Sequence, residues 1–205
     1  MQLIERFKEI WKDQDTAFLI SGGKELKFSD IEKQELVDLS NVKAGDVVAI
    51  IGDFDPQTIS TLLRLIDLKT IVVPLTKETS HEYEYFFESA LVDVVIQNGA
   101  AARREHDNHH ELIQRLRGAG HAGLVLFSTG TTGRPKAILH DLTLFLKRYE
   151  TPRPALRTIN FLLFDHIGGI NTLLHTLFNK GVVVAPPART VDAVIETCRK
   201  YDVEV

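Results

Sequence analysis

The sequence predicts an α/β fold in which layered, mostly parallel sheets are flanked by helices, with a short β-hairpin near the N-terminus. Three observations carry that expectation. Runs of β-branched and aliphatic residues at 47–51 and 71–74 have the length and composition of buried strands. Between such runs lie segments whose apolar residues recur at helical spacing, and this alternation is the pattern of βαβ units. Composition fits a globular chain: 205 residues, 44% hydrophobic and 25% charged, enough for one sizeable core or two small ones.

Taken in order, Leu3, Ile4, Phe7, Ile10 and Trp11 fall on one face of an expected amphipathic helix. Residues 17–20 read as a strand, 21–24 as a tight turn and 25–28 as the hairpin partner. Ser29 with Glu32 forms a capping box for a helix to about Leu39. Residues 42–46 turn the chain into the strand at 47–51, and Asp55-Pro56 opens a helix that buries Ile59, Leu62, Leu63 and Ile66. After the strand at 71–74, Thr79 and Glu82 make a second capping box, Tyr83, Phe86 and Phe87 supply a buried face, and 92–96 is the next strand. These elements compose a first α/β segment over about residues 1–97.

A polar connector over 98–121 follows, with a short helix near its end. His106, His109 and His110 lie in it, but no cysteine joins them and the setting is that of a solvated linker, so a metal site is not expected. The second α/β segment, 122–205, opens with the strand at 124–127. A helix from about Leu139 toward Tyr149 is stopped by Thr151-Pro-Arg-Pro154. Residues 159–164 read as a buried strand, Leu173, Leu174, Leu177 and Phe178 as one face of a helix ended by Gly181, and 182–185 as a strand. Thr190 caps a last helix to Tyr201, on which Cys198 is a core residue, since no local base accompanies it.

The chemistry is concentrated between Phe127 and Ala137. Gly130 and Gly133 let backbone approach an anion, Ser128, Thr129, Thr131 and Thr132 bring hydroxyl donors, and Lys136 adds a movable positive charge. A P-loop is rejected, because Arg134-Pro135 separate Gly133 from Lys136 and Ala137 stands where a hydroxyl would hold magnesium. Composition alone also allows a polar turn between two strands. Downstream, Asp165, His166 and Gly169 follow the strand read at 159–164, and ligands of open α/β sheets bind at such strand ends. A lone His in that place is commonly a satisfied structural group.

The order of residues in Phe127-Ser-Thr-Gly-Thr-Thr-Gly-Arg-Pro-Lys136 resembles the signature loop of the adenylate-forming superfamily: acyl-CoA and aryl-CoA synthetases, luciferases and the adenylation domains of peptide synthetases. Ala137 departs from the family's glycine. Lys43-Ala-Gly-Asp-Val-Val-Ala-Ile50 through Pro74 resembles a second landmark, and Phe164-Asp165-His166-Ile-Gly-Gly-Ile170 a third that borders the carboxylate pocket. The resemblance implies the N-terminal portion of an AMP-binding domain, an incomplete acyl-CoA synthetase-like fold whose C-terminal domain is absent. It implies ATP phosphate contacts from Ser128, Thr129, Gly130, Thr131, Thr132, Gly133 and Lys136, with Lys136 and Thr132 catalytic, and a substrate pocket at Asp165, His166 and Gly169.

The activity so implied is ATP-dependent activation of a small carboxylic acid as an acyl adenylate, with release of pyrophosphate and transfer to CoA. Magnesium ligands are expected downstream of this chain, so the chain alone is expected to be nearly inactive. One alternative is an amino-acid adenylation domain loading a carrier-protein thiol, and another a non-catalytic nucleotide-binding or scaffold remnant. Aligned one way, Asp165 reads a substrate ammonium; aligned the other way, His166 walls an acyl pocket, and His-x-Gly-Gly favours the second. Net charge of −4 argues against nucleic acid as partner. No apolar run reaches membrane-span length, the charged N-terminus is unlike a secretory signal, and a cytoplasmic location is expected. The ending at Val205 reads as the start of a further strand, from which self-association through an open sheet edge is expected.

Overall fold

The computed structural model describes residues 2–31, 33, 37–106, 108–128 and 133–205. Two sheets form its frame. The larger is built on β3 (Val47–Ile51) and β4 (Ile71–Leu75), both buried throughout their length, paired in parallel with Val47 opposite Ile71. β5 (Val94–Gln97) adds in parallel to β3, and β7 (Gly123–Phe127) in parallel to β4. Antiparallel strands close the edges, β6 (Ala100–Arg103) beside β5 and β8 (Ala137–Asp141) beside β7, giving the order β6-β5-β3-β4-β7-β8.

The second sheet has the order β2-β1-β10-β9. The hairpin of β1 (Ala17–Ser21) and β2 (Lys24–Lys27) joins β10 (Val182–Val184) and β9 (Arg157–Ile159), which run parallel to β1. Each sheet therefore draws strands from both halves of the chain.

Period-two alternation along β3 sends its side chains into two cores. Val47, Ala49 and Ile51 pack with Phe86, Phe87 and Ile113, under helices α4 (Tyr83–Ala90) and α5 (Glu111–Gly118). Val48 and Ile50 face the larger core, shared with α3 (Pro56–Asp67), α7 (Ile167–Phe178) and α1 (Leu3–Trp11). α1 contributes Leu3, Phe7 and Trp11, one per turn, and the indole of Trp11 donates to the Leu177 carbonyl at 2.8 Å. The expected cap of α3 forms, with the Asp55 carboxylate accepting from the Thr58 amide at 3.0 Å. At the turn into β3, Gly45 has φ +82°, a left-handed conformation that only glycine adopts without strain.

Several expected elements are corrected. Part of the connector is ordered sheet, since Ala100–Arg103 is β6. The run after Lys136 is β8, and the following helix is α6 (Leu142–Phe145), which Asp141 caps by accepting from the Leu144 amide at 2.9 Å. Residues 77–82 form a 3-10 turn, and Thr79 donates to the Thr76 carbonyl at 3.0 Å instead of capping α4. The strand read at 159–164 ends at Ile159. Helix α2 is described over Phe28–Ile31, and Glu32 of the expected capping box lies outside the described residues. On α8 (Val191–Lys200) Cys198 is half-buried, and Thr190 caps that helix as expected, accepting from the Ala193 amide at 3.3 Å.

Candidate functional site

The C-terminal ends of β3, β4 and β7 lie on one rim of the large sheet, the place where parallel sheets open to ligands. At that rim β7 leaves the sheet and β8 returns. Past the last ladder pair, Phe127 with Ala137, the two stems stay joined: the Ser128 amide donates to the Lys136 carbonyl, and the Lys136 amide to the Ser128 hydroxyl oxygen, each at 3.0 Å. Ser128 Oγ still has its own O–H to give. Gly133 is exposed with open space around it, and Lys136 is exposed and makes no ion pair among the described residues. Thr129, Gly130, Thr131 and Thr132, expected phosphate contacts, lie outside the described residues.

Beside the stems opens a cavity of about 310 Å³, walled by Leu75, Phe86, Phe127, Pro135, Phe161 and Leu163. Ser128, Asp165 and His166 bring polar groups to it. Loop stem and third landmark, nearly forty positions apart in the chain, thus border one space. An aromatic floor arises because Phe86 of α4 stacks on Phe127 of β7 with centroids 4.0 Å apart.

Asp165 accepts from the Thr76 hydroxyl at 3.1 Å. Burial pushes its carboxyl above the ordinary range, the Thr76 bond pulls the other way, and nearby Glu78 adds to the rise. His166 caps α7, its Nδ1 accepting from the Gly168 amide at 3.0 Å, which places the proton of the neutral ring on Nε2. His166 therefore has a structural duty, and its Nε2–H makes no hydrogen bond among the described residues at the cavity edge.

Gly168 and Gly169 do not leave open space above the sheet, as an acyl pocket in that place would want. A Cβ on Gly169 would stand 2.4 Å from the Leu163 carbonyl oxygen and 3.0 Å from Phe54, and one on Gly168 would stand 2.4 Å from Leu162. Gly169 is buried on α7 and is not among the cavity's lining residues. Its role is to let α7 approach the 161–166 segment closely.

Sequence reasoning missed the supports of this site. Thr76 follows the strand that ends near Pro74 and holds Asp165, while the Tyr83 hydroxyl donates to the Thr76 carbonyl at 2.7 Å. Tyr85 reaches the loop's outgoing stem, donating to the Pro135 carbonyl at 2.7 Å. Arg189 ties three loops, bonding the Phe161 carbonyl at 3.0 Å and the Asp53 carboxylate at 2.7 and 2.9 Å, with Glu78 at 3.9 Å. The signal available was position, since each lies within a few residues of a strand end or helix start.

Among the described residues no group of three His, Cys, Asp or Glu side chains can hold a metal ion. His106 lies 3.2 Å from Asp93, and His110 caps α5 through Nδ1, accepting from Leu112 at 3.2 Å. No described helix is long and apolar enough to cross a membrane.

Two mostly parallel sheets flanked by helices, with the stems of the β7–β8 connection at the rim of the larger one, match the fold of the N-terminal subdomain of adenylate-forming enzymes. Among solved structures, the chain is similar to the N-terminal subdomain of NpsA from Klebsiella oxytoca in complex with anthranilyl-AMSN, at 17% identity and a TM-score of 0.73, covering 98% of this chain and 59% of that one. It is also similar to o-succinylbenzoate CoA synthetase (MenE) from Bacillus subtilis in complex with its acyl-adenylate intermediate, at 15% identity and a TM-score of 0.70, covering 98% and 60%. An artificial fusion of NpsA with ThdA, an adenylation–PCP di-domain, matches at 17% identity and a TM-score of 0.74, covering 98% and 46%. At these identities it is the fold that is shared. The chain spans about 59% of the length of the NpsA subdomain. No protein-family model matches the chain, and no curated protein does.

Proposed function

We propose that this chain is the N-terminal part of an ATP-dependent ligase that converts a carboxylic acid to its acyl adenylate and then passes the acyl group to a thiol, with CoA as acceptor. The observation that carries the reading is the adjacency of the Ser128–Lys136 loop to an apolar cavity with Asp165 and His166 at its border. Ser128, the hydroxyl- and glycine-rich turn after it and Lys136 are suited to a polyphosphate, and the aromatic cavity to the body of an organic acid.

In the first step a carboxylate oxygen attacks the α-phosphorus of ATP, and the bond to the bridging oxygen breaks, so that pyrophosphate leaves with the electron pair. The Lys136 ammonium, Thr132 and the other loop donors balance charge on the β- and γ-phosphates, and catalysis lies in positioning and electrostatics. In the second step a thiol sulfur attacks the acyl carbonyl, AMP departs, and the thiol proton passes to solvent. Mg²⁺ is expected to accompany ATP. The described residues offer no cluster that fits it, and neither step is derived through it.

A second reading, adenylation of an amine-bearing acid for a carrier protein, is favoured by Asp165. That carboxylate is half-buried and held by a hydroxyl, so a substrate ammonium or amine would supply its missing donor. The NpsA subdomain is bound to anthranilyl-AMSN in one structure and 3-hydroxybenzoyl-AMSN in another, and single-ring acyl groups of that kind are small enough for the cavity described here.

The test is carboxylate-dependent exchange of labelled pyrophosphate into ATP by the gene product, over fatty, aryl and amino acids. Exchange with amine-free acids supports the first reading, and exchange confined to amine-bearing acids supports the second. Absence of exchange with every acid, in a protein that still binds ATP, replaces both with a non-catalytic nucleotide-binding role.

A further inference from the structure

The described stems on either side of the loop, at Phe127 and at Arg134–Lys136, are held from outside by helix α4. One peptide unit, the carbonyl of Pro135 and the amide of Lys136, is bonded at both ends: Tyr85 donates its hydroxyl to the Pro135 oxygen at 2.7 Å, and the Lys136 N–H donates to Ser128 Oγ at 3.0 Å. Because a peptide unit is planar and stiff, bonds at both ends restrain the orientation of its plane, and with it the position of the Lys136 Cα from which the side chain departs. Pro135 contributes a fixed φ on the preceding side.

Further contacts make the same attachment. The guanidinium of Arg134 lies 5.0 Å from the centroid of the Tyr85 ring, a cation–π contact on the residue before Pro135. The neighbour of Tyr85 on α4, Phe86, stacks on Phe127 at 4.0 Å and so holds the incoming stem. Adjacent residues of one helix therefore grip both stems of a loop whose ladder ends at Phe127 and Ala137.

We infer that Tyr85 is a positioning residue for the phosphate loop: its hydroxyl sets the peptide plane before Lys136 so that the ammonium stands ready for the polyphosphate of ATP. The inference rests on the ligase reading for the identity of the anion. Tyr85 acts through Pro135 and Lys136 and touches no reacting atom. A Lys136 stem preset in this way leaves less to order when the nucleotide arrives.

Tyr85→Phe removes the hydroxyl and keeps the ring under Arg134. In pyrophosphate exchange by the gene product, KM for ATP is expected to rise roughly three- to tenfold, the span of one lost hydrogen bond, with KM for the carboxylic acid and the melting temperature unchanged. Hydrogen exchange supplies a readout independent of activity: the Lys136 amide is expected to exchange about tenfold faster in the variant, on the same one-bond scale, with amides of β3 and β4 unaltered. An unchanged ATP KM together with unchanged Lys136 exchange overturns the inference. So does a parallel rise of both KM values with a lowered melting temperature, which marks Tyr85 as a general structural residue. If neither protein exchanges pyrophosphate with any acid, the ligase reading fails by itself, and the Lys136 amide together with the Kd for ATP still decides the role of Tyr85.

Discussion

Carboxylates at opposite ends of the six-stranded sheet can be treated in opposite ways, as Asp46 and Asp93 on one side and Asp165 on the other show, although Asp53 near Asp165 is itself paired with Arg189. Where β3 and β5 begin, every acid has a counter-charge: Asp46, buried, accepts three bonds of 2.9 to 3.2 Å from Arg103, and Asp93 accepts from Arg117 at 2.9 Å and from the Val47 amide at 2.7 Å. Where β4 and β7 end, Asp165 has a threonine hydroxyl and lies against an apolar cavity, with its acidity lowered by burial. Neutralised acids fasten strands together. An acid kept partly dry without such neutralisation costs stability, and sites that bind ligands are where that cost is commonly retained. Asp46 and Asp93 fasten the start of the sheet, and the proposed site draws on the unneutralised Asp165 at its other end.

Substitutions at the two ends should therefore separate activity from stability. The largest effect expected is on the used end: Lys136→Ala should lower pyrophosphate exchange by roughly 10²- to 10³-fold, the scale of a lost transition-state charge contact, while the melting temperature stays put because Lys136 is exposed. A comparable loss of folded protein would sink the assignment. Gly169→Ala acts on both properties, since its new methyl would meet the Leu163 carbonyl at 2.4 Å. Overpacking against backbone costs about 2–3 kcal/mol, a fall of roughly 5–10 °C, and the displaced 161–166 wall should raise KM for the acid. At the fastening end, Arg103→Met leaves buried Asp46 without its counter-charge, keeping the bond it accepts from the Lys43 amide. Arg103 is 40% exposed, so the loss should be about 1–2 kcal/mol, below that of a fully buried pair. Thermal unfolding should report it, and exchange activity at permissive temperature should not.

How much of this was legible beforehand follows from where each residue finds its partners. β3 and β4 could be read because both faces are buried and composition alone decides them. The strand that leads into the Ser128–Lys136 segment could be read from its apolar run, while the phosphate contacts expected of residues 129–132 fall outside the described residues. β6 could not: Ala100–Arg103 has no strand composition, and it is a strand because it pairs with the free edge of β5. The run at 160–164 misled for the opposite reason. Its apolar residues line a cavity and fill the core instead of a sheet, with Phe161 49% exposed and Phe164 fully buried against Phe54. Hydrophobicity is the same signal for a strand and for a pocket wall, and only neighbours separate them. Tyr85 and Arg189 were invisible because their partners stand 50 and 136 residues away.

The smallest effect expected is the one that tests the contrast most directly. Burial raises the Asp165 carboxyl above its ordinary value of 3.8, so the folded state holds that proton more tightly than the unfolded chain does. Stability from this group is accordingly complete below the unfolded pKa and is lost as pH rises through the higher folded value. Asn at 165 keeps an oxygen for Thr76 and never ionises. Asp165→Asn should therefore match the native protein near pH 4 and exceed it at pH 7, by roughly 1–3 °C, since the other titrating groups cancel in the difference. A variant less stable than the native protein by the same margin at both pH values would mean that Asp165 fastens the fold as Asp46 does, and the two ends of the sheet would no longer differ. If the difference opens with pH as expected, the same variant separates the two substrate readings: exchange driven by an amine-bearing acid should fall while exchange driven by an amine-free acid is spared, because only the first needs the charge that the fold pays to keep.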